Sequence, residues 1–245
     1  MSKSRVLIRM PGKSLGRGDE LCFTGGTLVH TREGLLPIES IKIGDWVLSQ
    51  PEHTGERTYK RVVKTANFEN KAVFRVKCDK LLPGGSFEMH NFIVTGNHPF
   101  YIARHNTEDV GGRPEKDLKK PRGWRRADLL EYGAQLELAN GELLRVVGVG
   151  PIWRARTEGV GWIDSSRWSE IGNHIDLREG KIEETFAGIG VVADFMKVGG
   201  FCDRYDDEEI ADEWAYKCAV YNLEVEDCHT YCVGEPGVWV ACDKA

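Results

Sequence analysis

The sequence has no long hydrophobic run. No stretch approaches the roughly 18 apolar residues that cross a membrane as a helix, and the opening segment, Met1 to Ser14, holds no apolar core of signal-peptide length. No membrane partner is expected. Nothing directs the chain out of the cytoplasm, so synthesis there is expected, with export only as part of a larger secreted protein. Proline is scarce, at 9 residues, and this excludes a proline-rich low-complexity chain. Positive charge is not in excess: 33 Lys and Arg against 38 Asp and Glu leave a net charge of −5. A basic nucleic-acid surface is therefore not expected. No C-x-x-C pair occurs. The seven cysteines, Cys22, Cys78, Cys202, Cys218, Cys228, Cys232 and Cys242, are odd in number, in a chain too large to need a disulfide framework. Cys228 and Cys232 flank His229, but no second pair stands at zinc-finger spacing, so no metal and no cofactor is expected. Reduced, buried thiols are the ordinary reading.

Glycine, by contrast, is plentiful: 28 of 245 residues, about 11% against a usual share of about 7%. Hydrophobic residues make up 41% and charged residues 29%, which describes an ordinary globular chain long enough to bury a core. Helical periodicity is weak, with Arg125 to Glu131 and Glu208 to Lys217 as the best short candidates. Short β-type runs flanked by Gly, Asn or Asp dominate instead. They are Thr27 to His30, Asp45 to Ser49, Arg61 to Thr65, Ala72 to Cys78, Phe87 to Val94, Gln135 to Leu138, Leu143 to Val149, Ala219 to Val225 and Val238 to Ala241. The expected fold class is all-β.

A glycine-bracketed unit recurs. Gly34 and Gly44, Gly123 and Gly133, and Gly161 and Gly172 are spaced by 10, 10 and 11, with Val47, Leu136 and Ile175 three residues after the second glycine. In the second and third copies another glycine follows, Gly141 and Gly180. The unit reads as a turn, a short connector, a tight turn and a strand, with glycine supplying backbone angles other residues resist. Three copies predict a duplicated β-fold carrying an extra inserted unit. Residues 105–126 are rich in Lys and Arg, and 203–213 in Asp and Glu; both runs read as solvated surface.

Three strings carry the chemistry. Cys22 opens a run through Phe23, Gly26, Thr27 and Val29, followed by Ile38, Glu39, Ile41, Gly44 and Asp45. Thr95 and His98 follow the apolar strand at Phe92 to Val94. Tyr221, Leu223, Val225 and His229 precede the closing run at Val238 to Val240. Together, over roughly 22–150 and 218–242, they resemble the Hint family of hedgehog autoprocessing modules and inteins, closest to bacterial intein-like and polymorphic-toxin pre-toxin Hint domains. The resemblance implies an all-β, pseudo-symmetric horseshoe with an inserted small subdomain. The corresponding division is a flanking leader at 1–21, a first Hint part at 22–150, an inserted subdomain at 151–217 and a C-terminal hairpin at 218–245. It also implies that the first and last strands lie side by side.

The implied chemistry is self-cleavage. Cys22 attacks the carbonyl of Leu21 in an N-to-S acyl shift, and the peptide becomes a thioester. The amine leaves poorly unless protonated, and a histidine supplies that proton; His98 is the candidate. Thr95 holds the carbonyl oxygen or fixes the bond, and the amides of Gly96 and Asn97 are candidate oxyanion donors. His229 is the further catalytic candidate. Each has a plainer reading: a buried structural thiol, a histidine organising the turn before Pro99, a satisfied strand histidine. Family members that splice end in His-Asn. Here Ala241 and Cys242 stand instead, and cysteine has no carboxamide to cyclise, so asparagine-driven C-terminal release is not expected. Cys242 is a possible acyl acceptor by thiol exchange. The substrate is the chain's own flanking polypeptide, with a toxin or adhesin segment of the same chain as a further partner. Two alternatives stand beside this reading: a degenerate, non-cleaving Hint fold serving as a structural or interaction module, and a thiol hydrolase acting on other molecules.

Overall fold

A computed structural model describes residues 20–51, 56–105, 122–164, 171–178, 183–189 and 214–242. The leader up to residue 19, Cys202, Trp168, Gly180, the acidic run and most of the basic run lie outside the described residues. Within them the chain is all-β, as the composition and turn pattern predict. The strands are β1 Phe23–Thr24, β2 Leu28–Thr31, β3 Gly34–Pro37, β4 Trp46–Ser49, β5 Thr58–Ala72, β6 Phe74–Leu81, β7 Phe87–Val94, β8 Pro99–His105 and β9 Gly123–Arg126. They continue as β10 Ala134–Glu137, β11 Leu143–Pro151, β12 Trp153–Arg154, β13 Val160–Asp164, β14 Ile171–Asp176, β15 Glu183–Ile189, β16 Lys217–Val225, β17 Thr230–Val233 and β18 Val238–Ala241. No helix among the described residues is long and apolar enough to cross a membrane.

Fourteen strands form one antiparallel sheet in the order β10-β11-β6-β7-β1-β16-β5-β4-β2-β17-β18-β8-β9, with β3 on β2 and β10 also pairing β8. The order is palindromic about the β7–β1 contact. There Phe23 pairs with Val94, and this pairing marks a pseudo-two-fold that exchanges β1 with β7, β2 with β8, β3 with β9, β4 with β10 and β5 with β11. The first two glycine units are the sequence trace of that symmetry. Each runs as strand, 3-10 turn and strand: β3, Ile38–Ser40, β4, and β9, Ala127–Leu129, β10. Gly34, Gly44, Gly123 and Gly133 all have positive φ, at 112°, 99°, 124° and 84°, where a side chain would be strained. The hydrogen bonds match in kind. Gly44 N–H donates to the Val62 carbonyl at 2.8 Å, and Gly133 N–H to the Val146 carbonyl at 2.9 Å.

Two expectations are corrected. Arg125 to Glu131 is not a helix but the end of β9 and a 3-10 turn, because pairing with β8 decides its backbone. The third glycine unit is not a further copy. Gly161 and Gly172 lie inside the β13–β14 hairpin and are absent from the positive-φ glycines. A Cβ at Gly161 would stand 2.2 Å from Ile152 Cγ2, and one at Gly172 would stand 2.4 Å from the Ile163 carbonyl oxygen. These glycines are there for room, not for turning. Strands β12 to β15 form a separate four-stranded sheet, between the end of β11 and the start of β16.

The main core fills the inside of the large sheet with Phe23, Val29, Phe92, Phe100, Leu136, Leu144, Tyr231 and Val240 among others. A second, smaller apolar cluster joins Cys22, Val73, Ile93 and Val220 to Ile152, Ile163 and Ile175.

Candidate active site

The site forms where β1 and β7 meet. β1 is only two residues long, pinned between β7 and β16, so the chain entering it at Leu21 and Cys22 lies against the turn that leaves β7. That turn runs from Thr95 to His98 and closes with His98 N–H donating to the Thr95 carbonyl at 3.1 Å. Thr95 grips the entering chain at three points. Its N–H donates to the Cys22 carbonyl at 2.9 Å, its Oγ1 accepts from Cys22 N–H at 3.0 Å, and its hydroxyl donates to the Glu20 carbonyl at 3.0 Å. The nitrogen that would leave on acyl shift is thus held by Thr95 directly. The hydroxyl's bonds go to this nitrogen and to the neighbouring carbonyls of Glu20 and, at 3.4 Å, Cys22. Of the two roles expected of Thr95, holding the carbonyl oxygen or fixing the bond, these contacts correspond to the second.

His98 is fully buried. Its ring meets Phe23 edge to face, with centroids 4.2 Å apart and planes at 61°, and Phe100 lies beyond at 5.9 Å. Among the described residues, no group reaches either ring nitrogen in full hydrogen-bond geometry. Burial holds the imidazole down to about 3, while the Leu21 backbone lies close enough to favour the charged ring. Cys22 is also fully buried. Burial first, and then the Glu20 carboxylate, push its thiol up to about 12, with Lys71 opposing. Lys71 Nζ meets Glu20 Oε1 at 2.9 Å, which fixes the chain one residue before the candidate bond. Thiol and imidazole are therefore both neutral near neutral pH, because burial disfavours each charged form.

The last strand closes on the same place. Tyr231, fully buried on β17, is raised well above its ordinary value by burial and then by the negative charge that Cys242 and Cys22 would carry; its hydroxyl lies within electrostatic reach of both thiols. It donates to Asn222 Oδ1 at 3.1 Å, and Asn222 Nδ2 donates to the Cys242 carbonyl at 2.9 Å. Cys242 is buried, and its N–H donates to the His229 carbonyl at 2.8 Å. His229 itself sits in the β16–β17 turn with φ 51° and an exposed side chain. The fold therefore brings Cys22, Thr95 and His98 together and sets Cys242 within reach of Tyr231. It brings the backbone of His229 to Cys242, but leaves the ring in solvent. Among the described residues, no group of three or more His, Cys, Asp or Glu is placed to hold a metal. Tyr231 and Lys71 escaped the sequence reading: one looks like any apolar strand residue, and the other like any surface lysine.

No family model and no curated protein matches the chain. The solved structures it resembles include inteins and an intein-like domain. The bacterial intein-like domain from Clostridium thermocellum is 24% identical, over 90% of this chain and 97% of that one, with a TM-score of 0.48. The DnaB intein from Synechocystis sp. PCC 6803 is 12% identical, over 92% and 100%, at 0.45. The gp41-1 intein is 15% identical, over 90% and 98%, at 0.42. At these identities the likeness is one of fold alone; what the site does follows from this chain's own residues.

Proposed function

We propose that the chain is a Hint-type autoprocessing domain whose substrate is its own N-terminal flank. The observation that carries this is the grip on the Leu21–Cys22 bond: Thr95 holds the leaving nitrogen at 3.0 Å, and the buried His98 lies beside the Leu21 backbone. The Cys22 sulfur bonds to the Leu21 carbonyl carbon, and the Leu21–Cys22 C–N bond breaks. As these bonds change, the thiol proton is handed through the neutral His98 ring to the departing Cys22 nitrogen in one concerted transfer, with no resting imidazolium, and the nitrogen leaves as a free amine. His98 acts as a relay rather than as a resident acid, since an imidazole held near 3 carries no proton to give at neutral pH. Water or an outside thiol then attacks the thioester, releasing residues 1–21 and restoring the Cys22 thiol.

This reading includes no asparagine-driven release at the C-terminal side. At the last strand the Cys242 carbonyl is held by Asn222, but a cysteine side chain cannot close a succinimide. Cys242 is instead an internal acceptor for the acyl group. Its sulfur would take the Leu21 carbonyl carbon from Cys22 while its proton goes to the Cys22 sulfur. The second reading, a non-cleaving Hint fold, draws support from the two burials that keep thiol and imidazole neutral.

Intact mass decides between them, for the parent and for Cys22→Ala, with and without added thiol. Loss of residues 1–21 from the parent alone, faster with thiol, is expected. A parent that stays whole at neutral and mildly acidic pH overturns self-cleavage and leaves the non-cleaving fold.

A further inference from the structure

The four-stranded sheet between β11 and β16 is fastened at both ends beside the nucleophile. Ile152 N–H donates to the Val73 carbonyl at 3.0 Å, Val73 N–H to the Tyr216 carbonyl at 3.4 Å, and Tyr216 N–H to the Ile152 carbonyl at 2.8 Å. Trp153 and Ala215 bridge just above. From this base Ile152, Ile163 and Ile175, each no more than 2% exposed, complete the small apolar cluster that holds Cys22. The fit is close. The bare face of Gly161 admits Ile152, whose Cγ2 would stand 2.2 Å from an added Cβ, and Gly172 lies as tightly against the Ile163 carbonyl and the Trp162 ring. Cys22 is fully buried within the cluster these side chains share, and an apolar surround leaves a developing charge without solvation. Among the described residues, the main core takes none from this sheet. A unit that shares only a small cluster with the rest of the fold is the kind that opens locally before the main core does.

The geometry points to β12–β15 as a fitted cover over Cys22, which keeps water and outside thiols from the nucleophile until it lifts. What the cover gates rests on the acyl-shift reading; that it covers does not. Alkylation by iodoacetamide, followed cysteine by cysteine on freshly purified uncleaved chains by peptide mass spectrometry, tests it. Cys78 is the internal reference, because it is buried in the main core. Gly161→Val wedges the sheet away, and Ile175→Ala, a milder change, thins it. Both are expected to raise the Cys22 rate at least about tenfold, since large-to-small and overpacking changes loosen a packed contact by that order or more, with Cys78 unchanged. An unchanged Cys22 rate in both variants overturns the cover, as does a parallel rise of Cys22 and Cys78, which would mean general loosening. Labelling needs no cleavage, so the two ideas fail separately. A chain that never cleaves yet exposes Cys22 selectively sinks the acyl shift and keeps the cover, and a cleaving chain with unmoved labelling does the reverse.

Discussion

The two halves of the horseshoe build the same corner twice and put different chemistry in it. In the first half Thr24 to Thr27 make the turn; in the second, Thr95 to His98 do. Thr27 N–H bonds the Thr24 carbonyl at 3.3 Å, as His98 N–H bonds that of Thr95 at 3.1 Å. The following 3-10 turn docks on the same position, Ile38 N–H on the Thr27 carbonyl and Ala127 N–H on the His98 carbonyl, both at 2.8 Å. Gly25 lies against Tyr221 and Glu39, and Gly96 against Phe74 and Asp128. Even the threonine hydroxyls correspond: Thr24 donates to the Ile93 carbonyl at 3.3 Å, and Thr95 approaches the Cys22 carbonyl at 3.4 Å. The differences are few. Cys22 has Ile93 as its mate, and His98 has Thr27. Thr27 is satisfied, its hydroxyl on the Thr24 carbonyl at 2.8 Å, whereas His98 is buried with both ring nitrogens outside full hydrogen-bond geometry. A buried polar group left in that condition costs stability. The scaffold thus accounts for the corner, and the cost is concentrated at the residue proposed to carry the proton.

His98→Thr makes the second corner a copy of the first, and it is the sharpest way to break the comparison. The corner should still fold, because its mate does so with threonine. Cleavage should fall by about a hundredfold or more, the usual contribution of a placed proton carrier. Time courses of intact mass read the rate, and circular dichroism reads the fold. A variant that cleaves at the parental rate would remove His98 from the reaction.

The next largest effect is on stability against pH. In an unfolded chain a histidine protonates near 6.5, but the folded His98 ring waits until about 3. Between those values the unfolded state binds the extra proton, so stability falls as pH drops from 6.5 toward 3. Cys22 acts at the other end. Its folded thiol keeps its proton up to about 12, while the unfolded thiol loses it near 9.0, so stability falls as pH rises through that window. His98→Phe keeps an aromatic ring beside Phe23 and should flatten the acid limb by a few kcal/mol. Urea midpoints from mildly acidic to alkaline pH measure both limbs. Parallel acid limbs in parent and variant would contradict a buried, neutral His98.

The symmetry also explains how much the sequence disclosed. β7 and β18 appear with the ends read from their apolar runs, and the turn glycines at 34, 44, 123 and 133 mark both halves, because positive φ leaves glycine in the sequence. Cys22, Thr95 and His98 were legible as motifs, and strand pairing across the pseudo-two-fold makes them neighbours. Other features left no such mark. β8 and β9 were hidden by the basic stretch between them, since their pairing is a tertiary matter that local pattern does not carry. Gly161 and Gly172 repeat the spacing of turn glycines but serve close packing; spacing alone does not separate a glycine needed for its backbone angle from one needed for its bare face. The contacts from Tyr231 through Asn222 to Cys242 depend on three strands meeting, and no one of those residues is unusual in its own segment.

The smallest expected effect tests whether the halves are physically equivalent. Gly34 and Gly123 occupy matching places, with φ at 112° and 124°, and an added Cβ at either would meet nothing within 4 Å. Alanine there brings backbone strain without a clash. Gly34→Ala and Gly123→Ala should therefore each cost about 1 kcal/mol, equal within about 0.5 kcal/mol, and neither should change the cleavage rate. Gly161→Ala is the contrast: its φ is unremarkable and its Cβ has no room, so its cost comes from displaced neighbours and should be the larger. Urea denaturation of the three variants reads all of this. A Gly123→Ala cost well above that of Gly34→Ala would mean that the second half, with the catalytic candidates in its corner, holds its turn under a constraint the first half lacks.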